Sequence, residues 1–480
     1  MFPLDRDAAT PLADQIEARL RALIEAGQLP PGARLLSIRQ LAGQLGVSPN
    51  TVVTAYDRLV AAGVIASRGT AGFFVGETAA APEAPWLEAG EEQDPVWLAQ
   101  QANDQREGVL LASSGALPPS WLDDAIPAAA LQRALARHPA GMAARCPPQG
   151  LPELRERIAL LMRQQGLAVD AGRLLTTWGA THAIDLVCRA FLQPGDAVLV
   201  ENPGYFLMFG RLREAGYRLV PVARRPDGID LAQLDAACRE HRPRLLFVQS
   251  VLHNPTGWGS SAANLHRVLM LAQQHDLLVV EDDTQGHFHP GQPTRLAQLS
   301  GLERVIYCSS FCKALSPALR MGYIAAEPAL LKRLLREKIV SVLTTGALNE
   351  LVLLEALAAG RWRKHLDRLQ RKLGQARNAA ARQLRQAGVL LDHPGEGGLF
   401  LWGAVPAGVD VDELVKDAYR NQILLVRGAT FMADAAADPH IRFNVVFSQH
   451  ARLAHYLHPR LAALAAARGS LARASALPLD

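Results

Sequence analysis

Apolar positions follow two rhythms along the chain. Up to about residue 62 they recur every three or four residues, the spacing of amphipathic helices. Three such helices are predicted. The first covers about Pro11–Gly27, with Ile16, Leu20, Leu23 and Ile24 on one face. The second covers about Ser37–Leu45 and opens at a capping serine. The third covers about Pro49–Ala62, with Ser48 as N-cap and proline at the first helical position, where a missing N–H costs nothing. Gly46-Val47 turns the chain between the last two. Val64-Ile65-Ala66-Ser67, a Gly-rich turn over Arg68–Gly72, and Phe73-Phe74-Val75 then read as a short β-hairpin.

The second rhythm begins beyond residue 107. Short apolar runs at Ala197–Val200, Leu245–Val248, Leu277–Val280, Val305–Tyr307 and Met321–Ala326 alternate with helical stretches such as Leu151–Gly166 and Ala180–Leu192. This alternation predicts a mainly parallel sheet covered by helices. Residues 327–365 read as one long helix, and the last hundred residues as a smaller α+β domain. Residues 77–107 show no sustained period and read as a linker on which Trp86 and Trp97 mark packing against a domain surface. The division expected is therefore a small helical head at 1–76, a linker at 77–107 and a body at 108–480, with its small domain at about 360–480.

Composition narrows the class. At 480 residues and 49% hydrophobic, the chain can bury more than one core. No apolar run is long enough to span a membrane, and the acidic start lacks a secretory core. The five cysteines include no CxxC pair, which reads as reduced thiols in a cytoplasmic protein. The net charge of +4 is uneven: residues 77–107 carry eight acids against Arg106, whereas 1–76 carry seven arginines against six acids. Charge alone does not mark a nucleic-acid binder.

The helix order is compatible with one. In a helix-turn-helix the second helix braces a third whose N-terminus meets the groove. Ser48, Asn50 and Thr51 stand there, with helix-terminal N–H groups suited to phosphate oxygens. Arg39 on the bracing helix and Arg68 on the hairpin tip add cations. By spacing alone, a small helical domain whose polar caps are only caps fits equally well. The run LLSIRQLAGQLGVSPNTVVTAYDRLVAAGVIASRGTAGFFV, preceded by PLADQIEARLRALIEAGQLPPGARL, resembles the winged domain of the GntR family. The resemblance implies that Arg39, Ser48, Asn50, Thr51 and the wing residues Arg68, Gly69 and Thr70 face DNA. Pro49 departs from it, standing where the family usually carries arginine.

The body offers chemistry at its strand ends, where open parallel sheets bind ligands. Glu201-Asn202-Pro203-Gly204-Tyr205 follows one run, His253-Asn254-Pro255-Thr256-Gly257 a second, Glu281-Asp282-Asp283 a third and Ser309-Ser310-Phe311-Cys312-Lys313 a fourth. An amine, a carboxylate, an amide and an aromatic ring on one rim suit pyridoxal phosphate. The cofactor needs an amine for its aldimine, a carboxylate at its pyridine nitrogen, a donor at its phenolate and a ring to stack on. Lys313, Asp282, Asn254 and Tyr205 take these roles, with Lys313, Asp282 and Tyr205 the catalytic candidates. Ser310, Arg320 and the helix start Gly179-Ala180-Thr181-His182 would hold the phosphate. Each alone is weak: a lone loop lysine is more often a solvated charge, and Asn-Pro-Thr-Gly alone is a plausible turn. His287 and His289 lack a third ligand, so no metal is expected, and they read as solvated loop or pocket-wall residues.

LPELRERIALLM, WGATHAIDLVCRAFLQPGDAVLVENPGY, HNPTG, VVEDD, SSFCKALSPALRMGYIA, GGLFLW and IRFNVVF, in that order, resemble class I/II aminotransferases of fold type I over about residues 110–465. The resemblance implies an α/β pyridoxal-phosphate-dependent transferase large domain followed by an α+β small domain. It also implies that Arg442, with Asn254, receives a substrate carboxylate, and that the chain is a homodimer. A GntR head on such a body is similar to MocR-type regulators. Four places depart from the enzyme pattern: Thr284 and Gln285 where a tyrosine is usual, Cys312 where a serine is usual, Arg145-Cys146 where a tyrosine is usual, and Thr181-His182 where a glutamine is common. The expected function is a regulator that binds an operator and senses pyridoxal phosphate, or an amino compound through it, with weak or no turnover. A working aminotransferase with a vestigial head and a cofactor-free dimeric regulator are the alternatives.

Overall fold

The computed structural model describes residues 4–6, 10–25, 29–30, 32–61, 64–67, 72–75, 95–103, 108–137, 143, 145–358, 360–393, 395–434 and 436–474. They fall into two compact units divided near residue 91, each taken by itself below.

The N-terminal unit has three helices, α1 (Leu12–Glu25), α2 (Ile38–Leu45) and α3 (Pro49–Ala61), and an antiparallel ribbon of β1 (Ile65–Ser67) and β2 (Phe73–Val75). Local chemistry sets the helix ends. Ser37 and Gln40 close a capping box at the start of α2, and Gly46, at φ +63°, ends it in the left-handed conformation that glycine adopts without strain. Ser48 caps α3 by accepting from the Thr51 N–H at 3.2 Å. Ile16, Leu20, Val52, Ala55 and Leu59 form the core, closed by Tyr56, whose hydroxyl donates to the Leu36 carbonyl at 2.7 Å.

The second unit opens with α4 (Pro95–Asn103), inside the stretch expected to be linker. Its Trp97 and Leu98 are buried, which is why an acidic segment still forms a packed helix. After α5 (Ala128–Arg137) and α6 (Pro152–Gln164) the chain alternates strand and helix. In order come β3 (Leu174–Thr177), α7 (Gly179–Phe191), β4 (Ala197–Asn202), α8 (Phe206–Glu214), β5 (Arg218–Arg225), β6 (Gly228–Ile229) and α9 (Leu231–His241). Next are β7 (Leu245–Val248), α10 (Ala262–Gln274), β8 (Leu278–Asp282), α11 (Leu296–Ser300), β9 (Val305–Ser310) and β10 (Gly322–Ala325).

These strands make one eight-stranded sheet in the order β3-β10-β9-β8-β7-β4-β5-β6. The β9-β8-β7-β4-β5 stretch is parallel; β10 runs against both of its neighbours. Both faces are buried. Leu199, Leu246 and Val279 enter one apolar cluster, and Val198, Val200, Leu245, Phe247, Val280 and Ile306 enter another. That is why these strands read as unbroken apolar runs.

The single helix expected over 327–365 is instead three: α12 (Pro328–Val342), α13 (Ala347–Ala356) and the start of α14 (Arg361–Gln386). The chain leaves helical geometry at Leu343, φ +63°, and again at Gly360, φ +73°. The first break is held by buried polar bonds: Glu350 accepts from the Thr176 hydroxyl at 2.7 Å and also bonds Thr345. The small sheet is β11-β12-β14-β13, from β11 (Leu390–Leu391), β12 (Phe400–Ala404), β13 (Val426–Arg427) and β14 (His440–Asn444). Around it lie α15 (Val411–Arg420), α16 (Val445–Ser448) and α17 (Ala451–Ala474). The segment near residue 110 joins this domain from far away in sequence, by a Leu110–Ile423 bridge and the Asn444 N–H donating to the Ala112 carbonyl at 2.7 Å. Among the described residues no helix is long and apolar enough to cross a membrane.

Candidate functional site

The parallel strands end on one rim, and the loops after β4, β7, β8 and β9 meet there with the start of α7. They enclose a cavity of about 320 Å³. Tyr205, Asn254, Asp282, Ser310, Lys313, Arg320, Arg442, Ala180 and Thr181 all line it. Residues more than two hundred positions apart in sequence thus meet in one pocket of a size that takes a small ligand.

The cavity's amine is Lys313. It donates to the Gly115 carbonyl at 3.2 Å. Burial, and then the positive charge of Arg442, push its pKa down to about 8, against the pull of Asp282. A lysine so placed is neutral far more often at neutral pH than an ordinary one, which makes it a nucleophile.

The carboxylate is held still. Asp282 accepts from the Gln249 amide at 2.7 Å and from the Thr284 N–H at 3.0 Å, and it also bonds the Thr284 hydroxyl. Gln249 is a residue whose role the sequence did not show. Its amide oxygen accepts from the Asn254 N–H at 2.8 Å, so one side chain fixes both Asp282 and the Asn254 loop. Its backbone N–H donates to the buried Glu201 carboxylate at 2.7 Å, itself paired with Arg224.

Arg442 is enclosed. It donates to the Asn254 side-chain oxygen at 2.8 Å and to the Ser113 carbonyl at 2.5 Å. The rings of Phe400 and Phe431 lie 4.5 and 4.7 Å from the guanidinium carbon. Burial pushes its pKa down to about 9, which leaves it charged at neutral pH. Its Nε and the Gln285 amide oxygen are buried and have no partner among the described residues. Gln285 and Thr284, standing where the enzyme pattern has a tyrosine, both line the cavity.

An anion cradle completes the set. The first turn of α7 presents Ala180 and Thr181 to the cavity, and Ser310 and Arg320 line it beside them. Gly179, at φ +76°, lies so close that an added Cβ would sit 3.3 Å from the Arg320 guanidinium. Arg320 has no hydrogen-bond partner among the described residues. His182, expected in this cradle, turns its ring back on its own helix: Nδ1 accepts from the Trp178 N–H at 3.0 Å, and the ring is absent from the cavity lining. Tyr205 caps α8 with its ring on the cavity wall, edge-on to Phe206, and burial pushes its hydroxyl pKa up to about 12.

The histidine pair is also placed differently from expectation. His287 is buried, stacked 5.6 Å from Phe311 and edge-on to Trp362, because the short turn after Asp283 folds back under α14. His289 pairs with Glu396 at 3.0 Å. No group of three or more His, Cys, Asp or Glu side chains among the described residues is placed to hold a metal.

In the N-terminal unit, Arg39, Ser48 and Asn50 are exposed and Thr51 is half-buried. The Ser48 and Thr51 hydroxyls lie 2.8 Å apart, so both help to cap α3. Arg68, Gly69 and Thr70 lie outside the described residues. Two further cations sit beside this surface. Arg34 lies against Gly72 of the wing, and Arg6 donates to the Gly46 carbonyl at 2.8 Å, at the turn between α2 and α3. In the sequence, Arg34 was visible only as one of the seven arginines of residues 1–76.

Comparison with known proteins follows the same division. The family described as aminotransferase class I and II matches residues 109–455, and the bacterial regulatory proteins of the gntR family match 12–75. A probable rhizopine catabolism regulatory protein, MocR of Rhizobium meliloti, is 32% identical over 77% of this chain and 76% of its own. The HTH-type transcriptional regulator YdcR of Escherichia coli is 28% identical over 90% of this chain and 94% of its own. Among solved structures, LysN, an alpha-aminoadipate aminotransferase of Thermus thermophilus complexed with N-(5'-phosphopyridoxyl)-L-leucine, is 27% identical. It superposes with a TM-score of 0.70 over 79% of this chain and 98% of its own.

Proposed function

The chain belongs to the class I and II aminotransferase family and carries a gntR-type regulatory domain ahead of that body; from this premise we propose that it is a DNA-binding transcription regulator that holds pyridoxal phosphate and responds through it to an amino compound. One observation carries the reading. A single cavity gathers a lysine of lowered basicity, a fixed carboxylate, an anion cradle and a buried arginine. The unpartnered buried atoms of Arg442 and Gln285 fit a pocket built for a polar ligand.

When bound, pyridoxal phosphate supplies an aldehyde that condenses with amines and a ring that accepts electron density. Lys313 offers the amine. Asp282, held by Gln249 and Thr284, keeps a proton at the ring nitrogen. The α7 start, Ser310 and Arg320 take the phosphate. The Asn254 amide nitrogen is the donor left for the phenolate, since its oxygen serves Arg442. Tyr205 flanks the ring, and Arg442 receives the carboxylate of the incoming ligand. The chain works as a homodimer, so that two heads read paired half-sites of an operator.

Titration of the purified chain with pyridoxal phosphate tests this directly. A saturable visible band is expected. Its rate of appearance rises with pH as Lys313 loses its proton, with its midpoint near pH 8 and not near the ~10.4 of an ordinary lysine. No band at any concentration would leave a cofactor-free regulator on an enzyme fold. A second reading, a working aminotransferase, is favoured by the intact Lys313, Asp282 and Arg442 set. Steady conversion of an amino acid and a keto acid at enzyme-like rates would select it over the sensor.

On DNA, binding falls with salt in proportion to the phosphates neutralised. Arg39→Ala is expected to weaken binding across sequences alike and to reduce the log–log salt slope by about 1. An unchanged slope would remove Arg39 from the phosphate contacts.

A further inference from the structure

Positive charge in the second unit is concentrated on one element. α14 carries nine Lys or Arg residues against the single acid Asp367, whereas the whole chain has a net charge of +4. One face of the helix enters the core through Trp362, Leu369, Leu373, Ala376 and Ala380. The opposite face carries Lys364, Arg371, Arg382 and Arg385, all exposed, with half-buried Arg368 on the same stripe. Of the α14 cations, only Arg368 has a carboxylate within ion-pair distance among the described residues, Asp124 at 3.2 Å.

Solvation alone does not favour such a face. A solvated helix usually sets acids three or four residues from its bases, because opposite charges at that spacing stabilise it and like charges do the reverse. Here Lys364 and Arg368, Arg368 and Arg371, and Arg382 and Arg385 are like-charged neighbours at that spacing. A polyanion lying along the face relieves the repulsion, and a second copy of the helix would add to it. The stripe also has the length of a regular polyanion. From Lys364 to Arg385 the helix rises about 32 Å at ~1.5 Å per residue, close to the ~34 Å turn of a B-form duplex. A rod of that length laid along a duplex meets both phosphate strands.

We infer that the exposed face of α14 is a second nucleic-acid surface, which lies along the phosphate backbone of duplex DNA through Lys364, Arg371, Arg382 and Arg385. This goes beyond the proposed function and rests on it for the presence of DNA. The contact is to phosphate alone and reads no sequence. It gives the body an affinity for any duplex, in addition to the contacts of the N-terminal unit.

The test is the salt dependence of binding of the full chain to a mixed-sequence duplex several helical turns long, followed by fluorescence anisotropy. A variant with Lys364→Gln, Arg371→Gln, Arg382→Gln and Arg385→Gln is expected to reduce the log–log slope by at least about 2, at ~0.9 for each phosphate contact. Glutamine forms helix about as well as arginine and the four positions are exposed, so the thermal midpoint should not fall. Replacing the three arginines by lysine should keep the slope, because a phosphate contact needs the charge and not the planar fork. The control carries Arg163→Gln, Arg239→Gln, Arg244→Gln and Arg267→Gln, at exposed arginines outside α14. A reduction smaller than about 2, or an equal one in the control, overturns the inference. The face then belongs to solvent or to the chain's own acidic stretch at 77–107. A slope lost in the lysine variant overturns it as well. So does a changed oligomeric state in the glutamine variant, which would make the face an interface between copies. An unaltered chain that binds no duplex at any salt defeats the DNA-binding reading itself. Binding that keeps its slope in the glutamine variant defeats only this inference.

Discussion

Lys313→Ala is expected to abolish the visible band proposed for pyridoxal phosphate on the unaltered chain, and to leave the protein folded. The side chain makes one hydrogen bond, to the Gly115 carbonyl at 3.2 Å, and that carbonyl faces the cavity, where water can replace the lost donor. The loss is of the order of ~1 kcal/mol, small for a chain of this size. The chemical loss is expected to be total, because Lys313 is the only lysine lining the cavity among the described residues. Lys338 is also buried with its pKa pushed down to about 8, but it donates to the Thr176 and Thr345 hydroxyls at 3.2 and 3.3 Å and is absent from the lining. Absorption spectra beside a thermal melt decide the matter. A band that survives the substitution would move the covalent attachment to another lysine and undo the assignment of the whole pocket.

What could be read from the sequence follows from what is local. The three helices of the head were legible because their signals are short-range: Ser37 and Ser48 as caps, Pro49 at a first helical turn, Gly46 at a left-handed end. The parallel strands were legible because burial on both faces leaves unbroken apolar runs such as Leu245–Val248. The breaks at Leu343 and Gly360 were not, since the first depends on Glu350 meeting Thr176 and Thr345, a contact made only in the folded chain. Nor was α4, whose acidic surroundings hid a helix held by the burial of Trp97 and Leu98.

The candidate site divides the same way. Lys313, Asp282, Asn254, Tyr205, Ser310, Arg320 and Arg442 were picked out by motif and strand end, and the structure places all of them on one cavity. Gln249 stood in plain view after an apolar run. Its task requires knowing that Asp282 and Asn254 flank it in space. His182 shows the limit of such a reading: its place in the first turn of α7 was legible, but not that its ring is spent on the Trp178 N–H.

Arg442 carries the second large effect. It stands on β14 behind Phe400 and Phe431, with donors fixed on Asn254 and Ser113 and its Nε still unpaired. A guanidinium held this way is oriented before any ligand arrives, so a carboxylate gains paired, charge-assisted bonds at little entropic cost. Arg442→Gln is expected to weaken norleucine binding to the cofactor-loaded chain about 100-fold, the scale of ~2–3 kcal/mol for hydrogen bonds to charged groups. Pentylamine, the same ligand without its carboxylate, should lose little. Arg442→Lys keeps the charge and loses the planar fork, so it should recover only a small part of the difference. The comparison of the two ligands separates recognition from damage, because the substitution also leaves the Asn254 and Ser113 oxygens short of a donor. Equal loss for both ligands would assign Arg442 to holding the Asn254 loop in place. No loss for norleucine would put the carboxylate elsewhere in the cavity, with Arg320 the remaining cation able to take it.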